Sequence, residues 1–421
     1  MHRKAPRAIS PRLRSALLLL VVSAFASVVG CDNAGVAGPD TTPPPILIPD
    51  EPVAAPRTPA TAALDRTLQI SLPGYGEAHA DSLADTDLLM FQLRTLLSDD
   101  GAENVRRIRA ANPDVIIIGS LQLLTIFPHW NDEWHRERMT LGRDLWNAIH
   151  DRPARTTTGD LVPMWSGMTT LNPLRDGRLD AAMLDEVVDA IVRHFARYPG
   201  VVDGIMHDYT AESPWIYPSP QEANIGEVDL DQDGIPYGED PEERAAWIGW
   251  QEQIVIRLQE RIGPGLIQIA NGRMAVERPS FTRLIAGAYF EHFPSMTWHQ
   301  PQSYGFERMY EITRADGLTP RRGRTWSMLS PPAGGAAGDL QLRRLANLLF
   351  ESHYARRETI DALVVGEAPT LEVGTPLGPV VRERGDNGGL RYRRPFTNGE
   401  VVVEFAANGN FRASTVPPQG R

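Results

Sequence analysis

Apolar positions along the chain gather into short unbroken runs, separated by longer stretches in which apolar residues recur at helical spacing. Leu88–Leu93 and Val115–Gly119 contain almost no polar interruption, which predicts strands buried on both faces. Leu161–Trp165, Gly204–His207, Leu266–Ala270, Gly287–Phe290, Thr325–Leu329 and Thr370–Val373 continue the series. Helical spacing predicts helices over Asn104–Ala111, ended by Asn112-Pro113, and over Asp180–Tyr198, where Met183, Leu184, Val187, Val188, Ile191, Val192 and Phe195 share one face. Glu242–Ile262 and Leu340–Tyr354 read the same way. Strands alternating with helices imply parallel pairing through βαβ units, and about eight such units imply a closed (β/α)8 barrel.

The two ends of the chain break this pattern. Five basic residues (Arg3, Lys4, Arg7, Arg12, Arg14) precede the apolar run Ala16–Val29, which has the layout of a secretory signal and is short for a membrane span. Val28-Val29-Gly30-Cys31 resembles a bacterial lipobox, so residues 1–30 are expected to be removed and Cys31 lipidated; an incidental buried thiol is the alternative. Residues 31–65, rich in Pro, Ala and Thr, read as a disordered tether. The barrel is placed at 66–374. Beyond it Asn398-Gly399, set between two alternating runs, predicts a hairpin, and 375–415 is placed as a small β appendage.

Composition narrows the chemistry. Cys31 is the sole cysteine and Lys4 the sole lysine. Without them the mature chain has no disulfide, thiol nucleophile, Schiff base or P-loop lysine. Loss of the five basic residues takes the net charge from −11 to −16. That acidity disfavours nucleic-acid and anionic-lipid partners and suits an extracytoplasmic protein acting on a neutral polymer, anchored to a bilayer only through Cys31.

Two predicted strands end in carboxylates, Asp208 and Glu291. Residues just past the C-terminal ends of barrel strands face the active-site mouth, and two carboxylates there are the equipment of glycoside hydrolysis. A helix cap for Asp208 and a structural ion pair for Glu291 are the alternatives. Phe290, Phe293 and Tyr289 surround Glu291 in sequence with apolar rings, which favours a proton donor. His207 and Tyr209 offer Asp208 hydrogen-bond donors, which favours an ionised partner. Glu212 is an alternative acid. Trp130, Trp165, Tyr209, Trp215, His292 and Trp298 lie at strand ends or in the following loops, where aromatic faces can stack on sugar rings; loop packing is the competing role. No cofactor is expected for catalysis. Asp229-Leu230-Asp231-Gln232-Asp233-Gly234 matches the start of a calcium loop, with Asp240 in the twelfth position, and predicts a structural Ca2+ on Asp229, Asp231 and Asp233; a solvated acidic loop is the alternative.

The segments D-G-I-M-H-D-Y-T (203–210), A-Y-F-E-H-F (288–293) and Y-R-R-P-F-T-N-G-E-V-V-V (392–403) resemble landmarks of barrel-fold glycoside hydrolases related to α-galactosidase-like and polygalactosaminidase-like enzymes. The resemblance implies Asp208 as nucleophile or stabilising carboxylate and Glu291 as acid/base. His207 stands where those families have an aliphatic residue. Two other readings remain: a catalytically silent carbohydrate-binding lipoprotein on the same fold, and a metal-dependent hydrolase using His129, His207, Asp208 and His292.

Overall fold

The computed structural model describes residues 67–70, 88–164, 167–214, 227–290, 303–313, 326–329, 354–356, 373–385, 388–406 and 411–416, with Leu345 and Leu349. Eight parallel strands close a barrel: β1 (Thr67–Ile70), β2 (Leu88–Gln92), β3 (Ile116–Leu121), β4 (Gly204–His207), β5 (Ile267–Asn271), β6 (Gly287–Phe290), β7 (Trp326–Leu329) and β8 (Tyr354–Arg356). Neighbours in space are neighbours in this order, and β8 returns to β1 through Thr67↔Ala355 and Leu68↔Arg356. The fold is a (β/α)8 barrel.

Alternation along the strands divides the apolar residues into two layers. Leu88, Met90, Ile116, Ile118, Met206, Ile267, Ile269 and Tyr289 fill the barrel interior. Leu89, Phe91, Ile117, Ile205, Ala270 and Ala288, one step out of phase, join the larger core between sheet and helices. Burial on both faces explains the unbroken apolar runs.

The helices begin where the sequence supplies caps. Helix α1 (Asp99–Ala111) opens on Ser98, whose side chain accepts from the Gly101 amide at 3.1 Å. Helix α2 (Thr140–Ile149) packs on α3 (Ala181–Arg197), which opens on Asp180. Helix α4 (Pro241–Ile262) has Pro241 in its first turn and Asp240 accepting from the amides of Glu242 and Glu243. Helix α5 (Ser303–Thr313) follows β6.

Two expected barrel strands are replaced. Leu161–Trp165 is not in the barrel: Leu161 and Pro163 form isolated antiparallel bridges to Arg155 and Thr169, within the long insertion between β3 and α3. Pro163 has no N–H to give a ladder, and alternate burial of Val162 and Met164 imitates a strand. Residues 370–372 of the expected last strand lie outside the described residues, and the eighth barrel position is taken by Tyr354–Arg356, which also cuts into the helix expected over Leu340–Tyr354. The place of Leu161–Trp165 in the count goes to Thr67–Ile70.

The C-terminal segment forms a four-stranded antiparallel sheet, β9 (Val381–Arg384), β10 (Leu390–Phe396), β11 (Gly399–Phe405) and β12 (Phe411–Val416). Phe396 pairs with Gly399, so Thr397 and Asn398 form the turn. Phe306 of α5 sits edge-on to Phe405, with centroids 4.9 Å apart, and 5.6 Å from Tyr392. Arg382 lies over the Tyr310 ring and pairs with Glu307. The sheet is therefore packed into the core of the barrel's outer layer. Among the described residues no helix is long and apolar enough to cross a membrane. Cys31 and the proposed tether lie outside the described residues.

Candidate functional site at the C-terminal mouth of the barrel

Asp208 follows β4 directly, two residues beyond Met206, whose side chain lies inside the barrel. Asn271 ends β5, two residues beyond the interior residue Ile269, and its Nδ2 donates to Asp208 Oδ1 at 3.0 Å. Both strands thus deliver a polar side chain to one mouth of the barrel. The Tyr209 amide also donates to Asp208 Oδ1, at 3.0 Å. Both donors are neutral. Burial pushes the Asp208 carboxyl up from its usual range, and these two hydrogen bonds pull less strongly the other way.

The backbone around Asp208 is held against strain. Tyr209 adopts φ 57°, a left-handed conformation that costs an aromatic residue on the order of 1–2 kcal/mol. Thr210 secures it from the next strand: its amide and its hydroxyl both donate to the Asn271 carbonyl, at 2.7 and 2.9 Å. Gly272 permits that approach, with φ 126° and a position where a Cβ would come within 2.2 Å of the Thr210 carbonyl oxygen. Helix α4 holds the following residue. Gln251 Oε1 accepts from the Ala211 amide at 3.0 Å, and Gln251 Nε2 and Trp247 Nε1 both donate to the Ala211 carbonyl at 2.9 Å.

His207 does not serve Asp208. It follows Ile205 onto the outer face of the sheet, where its Nε2 meets Gln268 Oε1 at 2.9 Å. Gln268 Nε2 donates to the Val255 carbonyl of α4, so its oxygen must accept and the imidazole carries its proton on Nε2. Burial lowers its pKa to about 4, against the pull of Gln268. A cavity of about 20 Å³, lined by His207, Asp208, Thr210, Trp250 and Gln251 among others, lies on this side of the sheet.

Other expected site residues fare differently. Trp130 is 3% exposed, stacked on Phe127 at 4.7 Å and packed against Gly142 of α2, so the core takes the face expected to meet a sugar. Tyr209 is fully buried for the same reason. Glu212 is exposed and pairs with Arg278 at 3.1 Å, away from Asp208 and Asn271. The hydrogen-bond donors expected for Asp208 from His207 and the Tyr209 ring are replaced by Asn271 and the Tyr209 amide. Glu291, His292, Trp165, Trp215 and Trp298 lie outside the described residues.

Sequence reading missed Asn271 and Gln251. Asn271 obeys the rule that singled out Asp208, the first polar residue at the end of a buried strand, but amides carry no motif. Gln251 falls in a helix and gives no sequence signal.

The acidic loop forms two overlapping clusters: one carboxylate oxygen of each of Asp229, Asp231 and Glu243 lies within 4.8 Å of the others, and the same holds for Asp231, Asp233 and Asp240. Asp229 is buried and accepts from the amides of Gln232 and Gly234 at 2.6 and 2.9 Å. Glu243 was not anticipated; burial pushes its carboxyl up to about 8, although the amides of Asp231 and Leu230 pull it down.

No protein-family model matches this chain, and no curated protein matches it by sequence. Among solved structures it is similar to an alpha-amylase from Lactobacillus plantarum, with 8% identity over 81% of this chain and 88% of that one and a TM-score of 0.44. It is also similar to a maltogenic amylase from S. marinus, with 10% identity over 78% and 55% and a TM-score of 0.38. A third is the native xylanase 10B from Thermotoga maritima, with 11% identity over 70% and 82% and a TM-score of 0.32.

Proposed function

We propose that this chain is a lipid-anchored extracytoplasmic glycoside hydrolase in which Asp208 and Glu291 form the carboxylate pair. The observation that supports the reading is Asp208 itself: a carboxylate at the C-terminal mouth of a closed parallel barrel, with its backbone held by a strained Tyr209 and its side chain fixed by Asn271. Backbone strain kept in place by so many neighbouring bonds is a mark of functional positions. The second carboxylate, Glu291, comes two residues after Tyr289, an interior residue of β6.

The environment of Asp208 changes the expected division of labour. A carboxyl whose pKa burial has raised holds its proton closer to neutral pH, as the general acid must. In this reading Asp208 protonates the glycosidic oxygen, and Glu291 acts as nucleophile or base. Asn271 fixes the orientation of Asp208 through both protonation states, since its amide can donate to the carboxylate or accept from the acid.

Asp208→Asn and Glu291→Gln, assayed beside the wild type on neutral glycans and on glycosides of graded leaving group, test this. Asp208→Asn should lose most turnover on the poorest leaving groups. The same pattern in Glu291→Gln instead would return the acid role to Glu291. Wild-type protein without turnover on any glycan, yet binding one, would leave the carbohydrate-binding lipoprotein in front. For the anchor, Cys31→Ser should leave the membrane fraction; its retention there after a salt wash would defeat lipidation.

A further inference from the structure

The acidic loop after the barrel's fourth strand carries a feature that a solvated loop does not require. Glu243 is fully buried in the first turn of α4. Its Oε1 accepts from the Asp231 amide at 2.7 Å, while its Oε2 is buried with no hydrogen-bond partner. Asp229 is 1% exposed, and one oxygen from each of these three carboxylates lies within 4.8 Å of the others. The charges acting on them are further carboxylates: Asp233 and Asp240 on Asp231, and Asp231 and Asp229 on Glu243. A buried carboxylate among like charges is costly to the fold unless something positive joins it.

We propose that Asp229, Asp231 and Glu243 bind a hard divalent cation of the calcium class, linking the loop at 229–234 to helix α4. Carboxylate oxygens are the ligands such ions prefer, and calcium accepts the irregular geometry that a loop and a helix together provide. The orphaned Oε2 of Glu243 then gains its missing partner. Asp240, the residue that the loop's spacing puts in the closing position, is instead occupied as the cap of α4. Asp233 is exposed and accepts from the Ile235 amide. The cation would therefore sit on the buried side of the loop.

Its place gives it a consequence for the barrel mouth. Trp247, one turn after Glu243, donates to the Ala211 carbonyl, and Tyr237 donates its hydroxyl to the Glu212 carbonyl at 2.5 Å. A cation at Glu243 would brace the segment that follows Asp208.

Terbium titration of the full chelator-treated protein tests this, because Trp247 lies one turn after Glu243 on α4 and Tyr237 packs edge-on against it, which puts two aromatic rings beside the loop to sensitise the ion's emission. Wild type should show emission that calcium displaces, and its melting temperature should rise with calcium concentration. Glu243→Gln should weaken terbium affinity by about tenfold or more, with its circular dichroism in chelator unchanged. Asp233→Asn should bind as wild type does. Wild type showing neither emission nor a calcium-dependent melting shift would overturn the proposal, whatever the variants do. Retained affinity in Glu243→Gln would also overturn it, and loss in Asp233→Asn alone would move the ion to the outer cluster of Asp231, Asp233 and Asp240.

Discussion

Replacing His207 with glutamine isolates the energy stored in one buried imidazole. His207 is 7% exposed and donates to Gln268, which is itself held by the Val255 carbonyl. In the unfolded chain it titrates near 6.5; in the fold its pKa is lowered to about 4. The folded state therefore binds the proton less well than the unfolded state. The stability this implies is complete above pH 6.5 and is lost progressively as pH falls towards 4. A gap of that size is worth about 3 kcal/mol at the acid end. Glutamine can offer its amide to Gln268 but cannot titrate, so His207→Gln should be less stable by about 1–2 kcal/mol at pH 7, through altered packing. Near pH 4 that order should reverse. Urea unfolding followed by tryptophan fluorescence, at intervals from pH 7.5 to 4, would trace both curves. Other titrating groups are common to the two proteins and cancel in the difference. Curves that stay parallel throughout would refute the placement of a neutral, outward-facing His207.

Gly272→Ala should cost about 2–4 kcal/mol, because φ 126° and the Thr210 carbonyl 2.2 Å from the new Cβ leave the methyl group no room; urea denaturation reads it, and a loss below 1 kcal/mol would contradict the close approach. Asp208→Asn should make the protein more stable at alkaline pH, since burial raises the folded-state pKa of Asp208 and its unfavourable contribution grows as pH climbs from the ordinary carboxylate range to that raised value. Unchanged or lowered thermal stability of Asp208→Asn at pH 8 would argue against that burial.

Strands β4 and β6 were legible in the sequence at their observed bounds, because both faces of a central barrel strand are buried and the apolar run is unbroken. Strands β1 and β8 were not. Thr67–Ile70 and Tyr354–Arg356 are four and three residues long, with Gln69 and Arg356 breaking any apolar run. Their pairing is fixed by the strands on either side, a constraint that exists only once the barrel closes. Leu161–Trp165 failed in the opposite sense, since alternation inside a loop layer looks like alternation along a strand. At the site, Asp208 could be found because a carboxylate ends an apolar run. The fate of Trp130 and Tyr209 could not, since an aromatic residue in a loop reads alike whether it meets ligand or core. Glu243 was hidden by its distance from the aspartates along the chain, which a helix start brings back beside them.

Closure through Thr67↔Ala355 sets the order in which this molecule can be completed. The first strand finds its second neighbour only when nearly the whole chain has been made, and bringing two such distant segments together costs roughly 5 kcal/mol of loop entropy. Until then β1 and β7 each present a bare edge, open to pairing with another chain. A nascent molecule therefore remains an incomplete sheet until residues 354–356 have been made. Shortened products ending before residue 354 should be cleared as aggregates or by proteolysis rather than persist as smaller barrels.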